Sequence, residues 1–250
     1  ANIFLNKNKN FQGDLDVNLI YDIDSRSFSS EIFSNNASIK NNQVKFEEGK
    51  VEYVDSNFNI DFSLLINDSK IPVNFEGTIP TNREDKLDLR LNGNGNFIEL
   101  IDIFADEYFT FRDGDVNLRM LIKGNINKPI VNGFVVMKDS EFQIYGNIIK
   151  NVDSVIIFDF DHINVKNLKA SGDNYGDIFI NGSLPFYDNN SLFKKGLNLK
   201  SNKFNVVSNN IKFLVDSEIK ISGSFEKPVL GGKLNLDKGF IDFNSLNKNN

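Results

Sequence analysis

Apolar and polar residues alternate along nearly the whole chain, and this period of two limits the possible folds more than any other feature of the sequence. Successive side chains of a β-strand point to opposite faces of the sheet, so each alternating run predicts a strand with one apolar face. Such runs occupy residues 17–23, 58–66, 71–75, 87–91, 116–122, 155–160, 163–165, 177–180, 211–215, 219–221, 234–236 and 241–243. The sequence therefore predicts an all-β protein.

A single segment has a helical pattern instead. Between residues 96 and 108 the apolar residues recur at spacings of three and four, and Asp102, Asp106 and Glu107 fall on the other side. This predicts one short amphipathic helix near 96–108, either a plug for the apolar face or a cap on a sheet edge. With so little helix available, the apolar face must be covered by a second sheet, by the same sheet curling round, or by a ligand.

Three further segments carry local signals. The tripeptides at 138–140 and 237–239 each contain Asp and Lys beside a small residue, and they predict short hairpin turns. Residues 189–200 show no sustained alternation and predict an irregular loop or a sheet edge.

The composition excludes several classes of function. The chain has 250 residues, a formal net charge of −6, no Cys and one His. Without Cys there are no disulfides, thiolate metal sites or Cys nucleophiles. No basic stripe is present, so no nucleic-acid partner is expected. His162 lacks further ligands at metal-binding spacing and is interpreted as a solvated residue at a strand end. We expect neither a catalytic nor a metal site, no cofactor and no enzymatic activity.

No stretch reaches the roughly 20 apolar residues of a transmembrane helix. The chain begins at Ala1, in the middle of a pattern and without a signal peptide. We expect it to be a segment of a longer polypeptide, with any signal or anchor outside it. Its richness in Asn, Lys, Ile and Phe is typical of an AT-rich genome, such as that of a marine cyanobacterium.

A repeat is the strongest long-range signal. A motif of strand, Gly, loop, Pro, Gly and strand occurs twice, about 100 residues apart. Its first copy carries Gly124, Pro129 and Gly133, and its second carries Gly223, Pro228 and Gly232. A weaker echo links residues 75–80 to residues 180–185. The repeat predicts one continuous β segment over 1–250, with sub-units of roughly 1–95, 96–195 and 196–250.

The repeat motif at 123–133 and 222–232 resembles the C-terminal region of the TamB family. These inner-membrane components of the translocation and assembly module belong with the AsmA-like, bridge-like lipid transfer proteins. The resemblance covers roughly residues 60–245. It implies an elongated, repetitive, curled antiparallel or mixed sheet, a β-taco or half-pipe whose apolar groove carries phospholipid acyl chains.

For this chain the resemblance implies a segment of a cell-envelope bridge that conducts phospholipid between inner and outer membranes and supports outer-membrane biogenesis. It implies the periplasm of a Gram-negative-type bacterium, an inner-membrane anchor outside this segment, and an Omp85-type outer-membrane barrel as partner. The alternative is a structural or interaction module that scaffolds outer-membrane protein assembly or translocation with such a barrel and carries no lipid.

Candidates to line the groove are the apolar members of the alternating runs. They are Val17, Leu19, Phe58, Ile60, Phe62, Leu64, Val73, Phe75, Leu89, Leu91, Leu118, Met120, Val135, Met137, Ile178, Ile180, Ile219, Ile221, Leu234 and Leu236. A structural role is expected for the glycines and prolines of the repeat motif, since Pro removes a backbone donor and Gly permits a bend.

Overall fold

A computed structural model describes residues 2–4, 11–39, 42–67, 69–82, 85–94, 109–173, 175–188, 196–208 and 211–241. Every regular element within these ranges is a β-strand. The strands are β1 Asn2–Phe4, β2 Phe11–Gln12, β3 Asp14–Asp22, β4 Ser27–Ile39, β5 Asn42–Val54, β6 Asn57–Ile66, β7 Val73–Pro80, β8 Lys86–Asn94, β9 Phe109–Asn125, β10 Lys128–Ile144, β11 Asn147–Phe160, β12 His162–Gly172, β13 Asp177–Pro185, β14 Leu197–Ser208, β15 Ile211–Gly223 and β16 Pro228–Ile241.

The chain divides into two compact units, and the long strands β9 and β10 contribute to both. Unit 1 comprises residues 1–104 and 116–134. Its strands follow one another in the order β1-β3-β4-β5-β6-β7-β8-β9, and β2 pairs with β4. Consecutive strands joined by short turns are adjacent in the sheet, so unit 1 is an antiparallel meander.

Unit 2 comprises residues 105–115 and 135–250. Its strands also follow chain order, from β11 through β12, β13, β14 and β15 to β16. Each of these neighbours is antiparallel. The prediction of an all-β antiparallel protein is therefore confirmed, and no parallel pair occurs among the pairings of the described strands. The predicted helix at 96–108 lies outside the described residues, and the repeat-based division into sub-units stays a prediction.

The predicted hairpin turns at 138–140 and 237–239 are wrong, since both tripeptides lie inside long strands, β10 and β16. Asp139 has the positive φ of a turn residue, 45°. The strand nevertheless continues, because the Asp139 N–H donates to the Asp153 carboxylate at 3.1 Å. Opposite Asp237 the register shifts between Lys212 and Leu214. The turn-like sequences therefore make irregularities within strands, of the kind found at β-bulges.

The irregular loop or edge predicted for 189–200 is also corrected. Residues 197–200 begin β14, which lies between β13 and β15. Residues 189–195 lie outside the described part of the chain. The apolar pair Leu197 and Leu199 is too short a run to predict a central strand by alternation alone.

The two copies of the repeat motif have the same local structure. Gly124 and Gly223 close β9 and β15 with φ of +93° and +82°. Pro129 and Pro228 stand at the start of the next strand, where a missing donor is tolerated. Gly133 and Gly232 follow with φ of +153° and +148°. A Cβ at Gly232 would overlap the carbonyl oxygen of Glu218 on the neighbouring strand. Only glycine fits both this conformation and this close approach.

The weaker echo is structural as well. Gly77 in β7 and Gly182 in β13 have φ of +141° and +124°. Gly77 faces the Asp88 carbonyl of β8, and Gly182 faces the carbonyl of Gly196, the residue before β14. Both β7 and β13 end at a proline. The repeat seen in the sequence is thus a repeat of strand geometry.

Candidate functional site

The predicted lining residues of unit 1 lie on one face of its sheet. Directly opposed residues of an antiparallel pair project from the same face, so the register can be followed from strand to strand. One row across β5–β9 is Val51, Ile60, Gly77, Leu89 and Ile122. The next row across β6–β9 is Phe62, Phe75, Leu91 and Met120. Phe46, Leu64 and Val73 are opposed across β5–β7, and Gly93 and Leu118 are opposed across β8 and β9.

The same face continues to the β3 end of unit 1. Val17 and Leu19 pair with Ile32 and Ser30 of β4. A further row consists of Tyr21, Phe28, Tyr53, Phe58 and Ile79. The rings of Phe28, Tyr53 and Phe58 are in contact, with centroids 5.8 Å apart for Phe28 and Tyr53 and 5.1 Å for Tyr53 and Phe58. The register therefore joins alternating runs from separate strands into one surface, the apolar face of unit 1.

The opposite face of unit 1 is mostly polar, although Ile20 and Phe33 also lie on it. Its ion pairs join Lys50 to Glu52 at 2.8 Å, Arg90 to Glu76 at 3.2 Å and Lys123 to Asp88 at 3.0 Å. The hydrogen bond from Lys50 to Glu52, together with the charge of Glu52, raises the pKa of the lysine. These side chains are well exposed, so each pair contributes little to stability. They keep this side of the sheet exposed to solvent.

Unit 2 has an apolar face of the same construction. One row is Leu168, Ile180, Leu199, Ile219 and Gly232. A second is Val165, Gly182, Leu197, Ile221 and Leu230. A third is Ala170, Ile178, Ser201, Ser217 and Leu234, and Phe204, Val215 and Leu236 follow it. The reverse face carries Lys169, Phe179, Lys200, Glu218 and Lys233 in one row.

Exposure varies along these faces. In unit 1, Val44, Ile66 and Val73 are fully buried, whereas Phe58, Ile60, Phe62 and Leu64 are half-buried. Leu19 at one end of that face is exposed. In unit 2, Ile178, Ile180, Ile219 and Ile221 are half-buried, and Leu234 and Leu236 are exposed. Each face therefore combines a filled part with a part that still reaches solvent.

Every predicted lining residue occupies an alternating position of a strand. The register places twelve of them, from Val17 to Met120, on the apolar face of unit 1, and six, from Ile178 to Leu236, on that of unit 2. Val135 and Met137 share a face of β10, where Val135 is half-buried and Met137 is buried. The role of these residues in binding lipid stays a prediction.

Sequence reasoning missed the serines on the apolar faces. Ser201 and Ser217 lie opposite each other between Ile178 and Leu234, and their hydroxyls are 2.8 Å apart. Ser201 also donates to the carbonyl of Val215 at 3.0 Å. Because the two hydroxyls bond each other and the backbone, they can lie on an apolar surface without an unpaired donor. A serine that interrupts an apolar run in the sequence is the signal that could have revealed these residues.

The described residues contain no group of three or more His, Cys, Asp or Glu side chains arranged to hold a metal ion. His162 opens β12, and its Nδ1 lies 2.6 Å from Asp161 Oδ1. The ring is partly exposed. No helix in the described ranges has the length and hydropathy needed to cross a membrane.

The fold and the two faces define a class of protein, the all-β repeat proteins whose antiparallel strands are apolar on one side and polar on the other. No family model matches the chain, and no solved structure matches it significantly. The chain is similar to the protein TIC236, chloroplastic, of Arabidopsis thaliana, with 20% identity over 135 residues. Those residues are 53% of this chain and 6% of that protein, so the chain spans a small fraction of the curated relative.

Proposed function

We propose that this chain is a non-enzymatic segment of a TamB-like cell-envelope protein, and that its apolar faces carry phospholipid acyl chains between two membranes. The observation that carries the proposal is the alignment of half-buried apolar side chains in rows across neighbouring strands, with charged rows on the reverse face. The similarity to TIC236 supports the envelope class. On this proposal the segment lies in the periplasm, and the membrane anchor and the Omp85-type barrel contact belong to other parts of the protein.

The chemistry of the rows suits an acyl chain. Each methylene moved from water onto an apolar surface contributes about 0.8 kcal/mol. Phe62 and Phe75 in unit 1, and Ile180 and Ile219 in unit 2, offer non-directional contacts of this kind. A chain that moves by one strand exchanges one set of such contacts for a similar set, so the barrier to sliding is low. The polar reverse face keeps the segment soluble in an aqueous compartment.

The test is site-specific photocrosslinking in cells, followed by mass spectrometry of the captured molecule. A photoreactive residue replaces Phe62 in unit 1 or Ile180 in unit 2. The matched controls are their neighbours Asp61 and Asn181, which lie on the reverse face. Both controls are more exposed than the test positions, so random encounters favour capture at the controls. We expect phospholipid adducts at Phe62 and Ile180 and few at the controls. Equal capture on the two faces would overturn the proposal.

A scaffolding role without lipid is the second candidate, favoured by the filled part of the face. Val44 and Ile66 are each 1% exposed, so protein atoms alone exclude solvent there. If this role is correct, the crosslinkers at Phe62 and Ile180 yield only intramolecular adducts. Lipid extracted from the purified segment would then not exceed the amount bound by a soluble β protein of similar size.

A further inference from the structure

A cavity of about 470 Å³ opens on the reverse face of unit 2, and we call it the reverse-face pocket. The register fixes its face, because Asn198 lies directly opposite Asn181 on one side and Lys220 on the other. Asn164 and Ser183 are also directly opposed, and Ser183 is two residues from Asn181. Side chains two residues apart on a strand project from the same face. The polar lining of the pocket consists of Asn164, Lys166, Ser183, Asn198 and Lys220.

Two glycines and a bulge shape the pocket. Gly182 and Gly196 also line it, and they have no side chain to fill it. In β12 the register is shifted, so that residues 166 and 167 lie opposite the single residue Asn181 of β13. A bulge of this kind bends the strand and redirects the extra side chain. Lys166 stands in this bulge and lines the pocket.

The side chain of Lys220 lies against Gly196. A Cβ at Gly196 would be 3.3 Å from Lys220 Cε, so the glycine leaves room for the lysine to reach the pocket. None of the ion pairs among the described residues involves Lys166 or Lys220. The nearest carboxylate of β15 belongs to Glu218, which Lys200 binds at 3.2 Å. Two unneutralised ammonium groups therefore line one pocket.

Ser183 adds a hydroxyl that the protein leaves unused. The residue is 9% exposed, and its backbone N–H donates to the Gly196 carbonyl at 3.3 Å. None of the side-chain hydrogen bonds within the described part of the chain involves its hydroxyl. Buried hydroxyls are normally hydrogen-bonded, so the acceptor for Ser183 has to come from the pocket. Asn198 Nδ2 donates to Asn181 Oδ1 at 3.4 Å and has a second N–H to offer.

We propose that the reverse-face pocket binds a phosphate monoester. Such a group carries nearly two negative charges and three strong acceptor oxygens. The two lysines supply the charge, while the hydroxyl and the amides supply further donors from other directions. A carboxylate has one charge and two oxygens, so it matches this set of donors less well. The pocket is larger than a phosphate group alone, since a water molecule occupies only about 30 Å³, and the alcohol part of the ester fits beside it.

This phosphate site is independent of acyl-chain transport, because it lies on the face opposite the apolar rows. A phospholipid with a terminal phosphate and a soluble phosphate ester offer the same chemistry. Photocrosslinking at Phe62 and Ile180 tests the apolar faces, whereas the experiments below test the reverse-face pocket alone.

The first experiment titrates the whole chain with inorganic phosphate and follows amide signals by NMR, with ionic strength held constant by chloride. The reporting groups are the backbone amides of Gly182 and Gly196 and the side-chain amides of Asn164 and Asn198. Lys166→Gln and Lys220→Gln each remove one charge from the pocket, and Ser183→Ala removes the hydroxyl. Lys212→Gln is the matched control, because it removes the same charge from an exposed position of β15 outside the pocket.

We expect saturable shifts at the reporting groups that chloride does not produce. Each lysine variant should weaken phosphate binding about tenfold, because a hydrogen bond between charged groups is lost. Ser183→Ala should weaken it about fivefold, and Lys212→Gln should leave it unchanged. Shifts that do not saturate would overturn the proposal. An equal loss in Lys212→Gln and Lys220→Gln would also overturn it, since binding would then follow net charge rather than the pocket.

The second experiment identifies the source of the phosphate. One arm measures flotation of the chain with vesicles of phosphatidylcholine containing phosphatidic acid, and the other measures binding of glycerol 3-phosphate by NMR. Vesicle binding that Lys220→Gln abolishes and inorganic phosphate competes away supports a lipid phosphate as ligand. Binding of glycerol 3-phosphate that depends on Lys220, without vesicle binding, supports a soluble ester. If Lys220→Gln changes neither arm, the pocket does not bind a phosphate monoester.

Discussion

The side-chain amide of Asn147 is hydrogen-bonded in both directions to the backbone of Val207, although their strands are not neighbours in the sheet. Asn147 Nδ2 donates to the Val207 carbonyl at 3.0 Å, and the Val207 N–H donates to Asn147 Oδ1 at 2.6 Å. Asn147 begins β11 and Val207 lies near the end of β14, with β12 and β13 between them. The amide thus bonds to the backbone as a paired strand residue would.

This contact is possible because β12 and β13 end early. Their hairpin ends at Gly172 and Asp177, whereas β14 runs on from Asn202, the partner of Asp177, to Ser208. The start of β11 and the end of β14 therefore meet beyond the hairpin, and the sheet of unit 2 curls locally to bring them together. The Asn205 N–H also reaches the Tyr175 carbonyl at 3.4 Å, so the hairpin loop is held to β14 as well.

Replacing Asn147 by Ala should destabilise unit 2 by about 1–3 kcal/mol. The substitution removes both bonds and leaves the N–H and carbonyl of Val207 without their partner in a part-buried place. Urea unfolding monitored by far-UV circular dichroism measures the change. The control is Asn167→Ala on the exposed side of β12, which should stay within about 0.5 kcal/mol of the parent. Equal losses in the two variants would show that the amide bridge is not stabilising.

The adjacent glycines of β16 should respond in opposite ways to alanine. In Gly232→Ala the new Cβ overlaps the Glu218 carbonyl oxygen, and φ of +148° is strained for any other residue. We expect a loss of about 1–3 kcal/mol or local separation of β16 from β15. A Cβ at Gly231 meets nothing within 4 Å. Gly231→Ala should therefore be neutral or stabilise by up to about 1 kcal/mol. Thermal unfolding compares the two, and a tolerated Gly232→Ala would contradict the assigned backbone geometry.

The amount of bound phospholipid should depend on which face of the sheet a substitution changes, rather than on which strand carries it. Ile60→Asn places an amide in the row between Val51 and Gly77, and should lower phospholipid recovered with the purified chain about tenfold. Asp61→Asn changes the reverse face of the same strand and should leave recovery unchanged. Quantitative lipid mass spectrometry provides the measurement, with circular dichroism to confirm that both variants are folded. Parallel losses in both variants would argue against a binding face.

The turn between β3 and β4 should show a pH dependence caused by Asp22. Its carboxylate accepts the Asp24 N–H at 2.9 Å and the Ser25 N–H at 3.3 Å. Hydrogen bonds from Ser25, with a smaller one from Asp24, hold the pKa of Asp22 below its ordinary value of 3.8. Because the folded pKa is depressed, the stabilisation is present above about pH 4 and is lost as pH falls through the folded pKa.

A carboxyl-detected NMR titration measures this directly. The Asp22 midpoint should lie below 3.8 in the parent chain. Ser25→Ala removes the hydroxyl and keeps the backbone N–H, so the pKa should rise part of the way back. Asp22→Asn should abolish the acid sensitivity of the turn. An Asp22 midpoint at or above 3.8 would contradict the turn geometry.

The strand class and the facing of side chains could be predicted because they are local. Alternation within residues 58–64 is sufficient to place Phe58, Ile60 and Phe62 on one face, since successive side chains of any strand diverge. The repeat of Gly133 and Gly232 was also visible in the sequence, because a backbone geometry that only glycine can adopt requires glycine at the same position of each copy. The turn-like tripeptides failed because a positive φ at Asp139 serves a bulge as well as a hairpin, and local sequence does not distinguish them.

The sequence by itself determined the β class, the two faces of different chemistry and the repeat. Only the tertiary structure decided which runs lie side by side, because register depends on bulges such as the one between Glu31 and Ser34. It also decided that Asn147 meets Val207 and that Leu236 is exposed while Met137 is buried. These are relations between residues far apart in the chain, set by curl and strand order. The alternation of apolar and polar residues is the same in every strand, so it does not specify which strands are neighbours in the sheet.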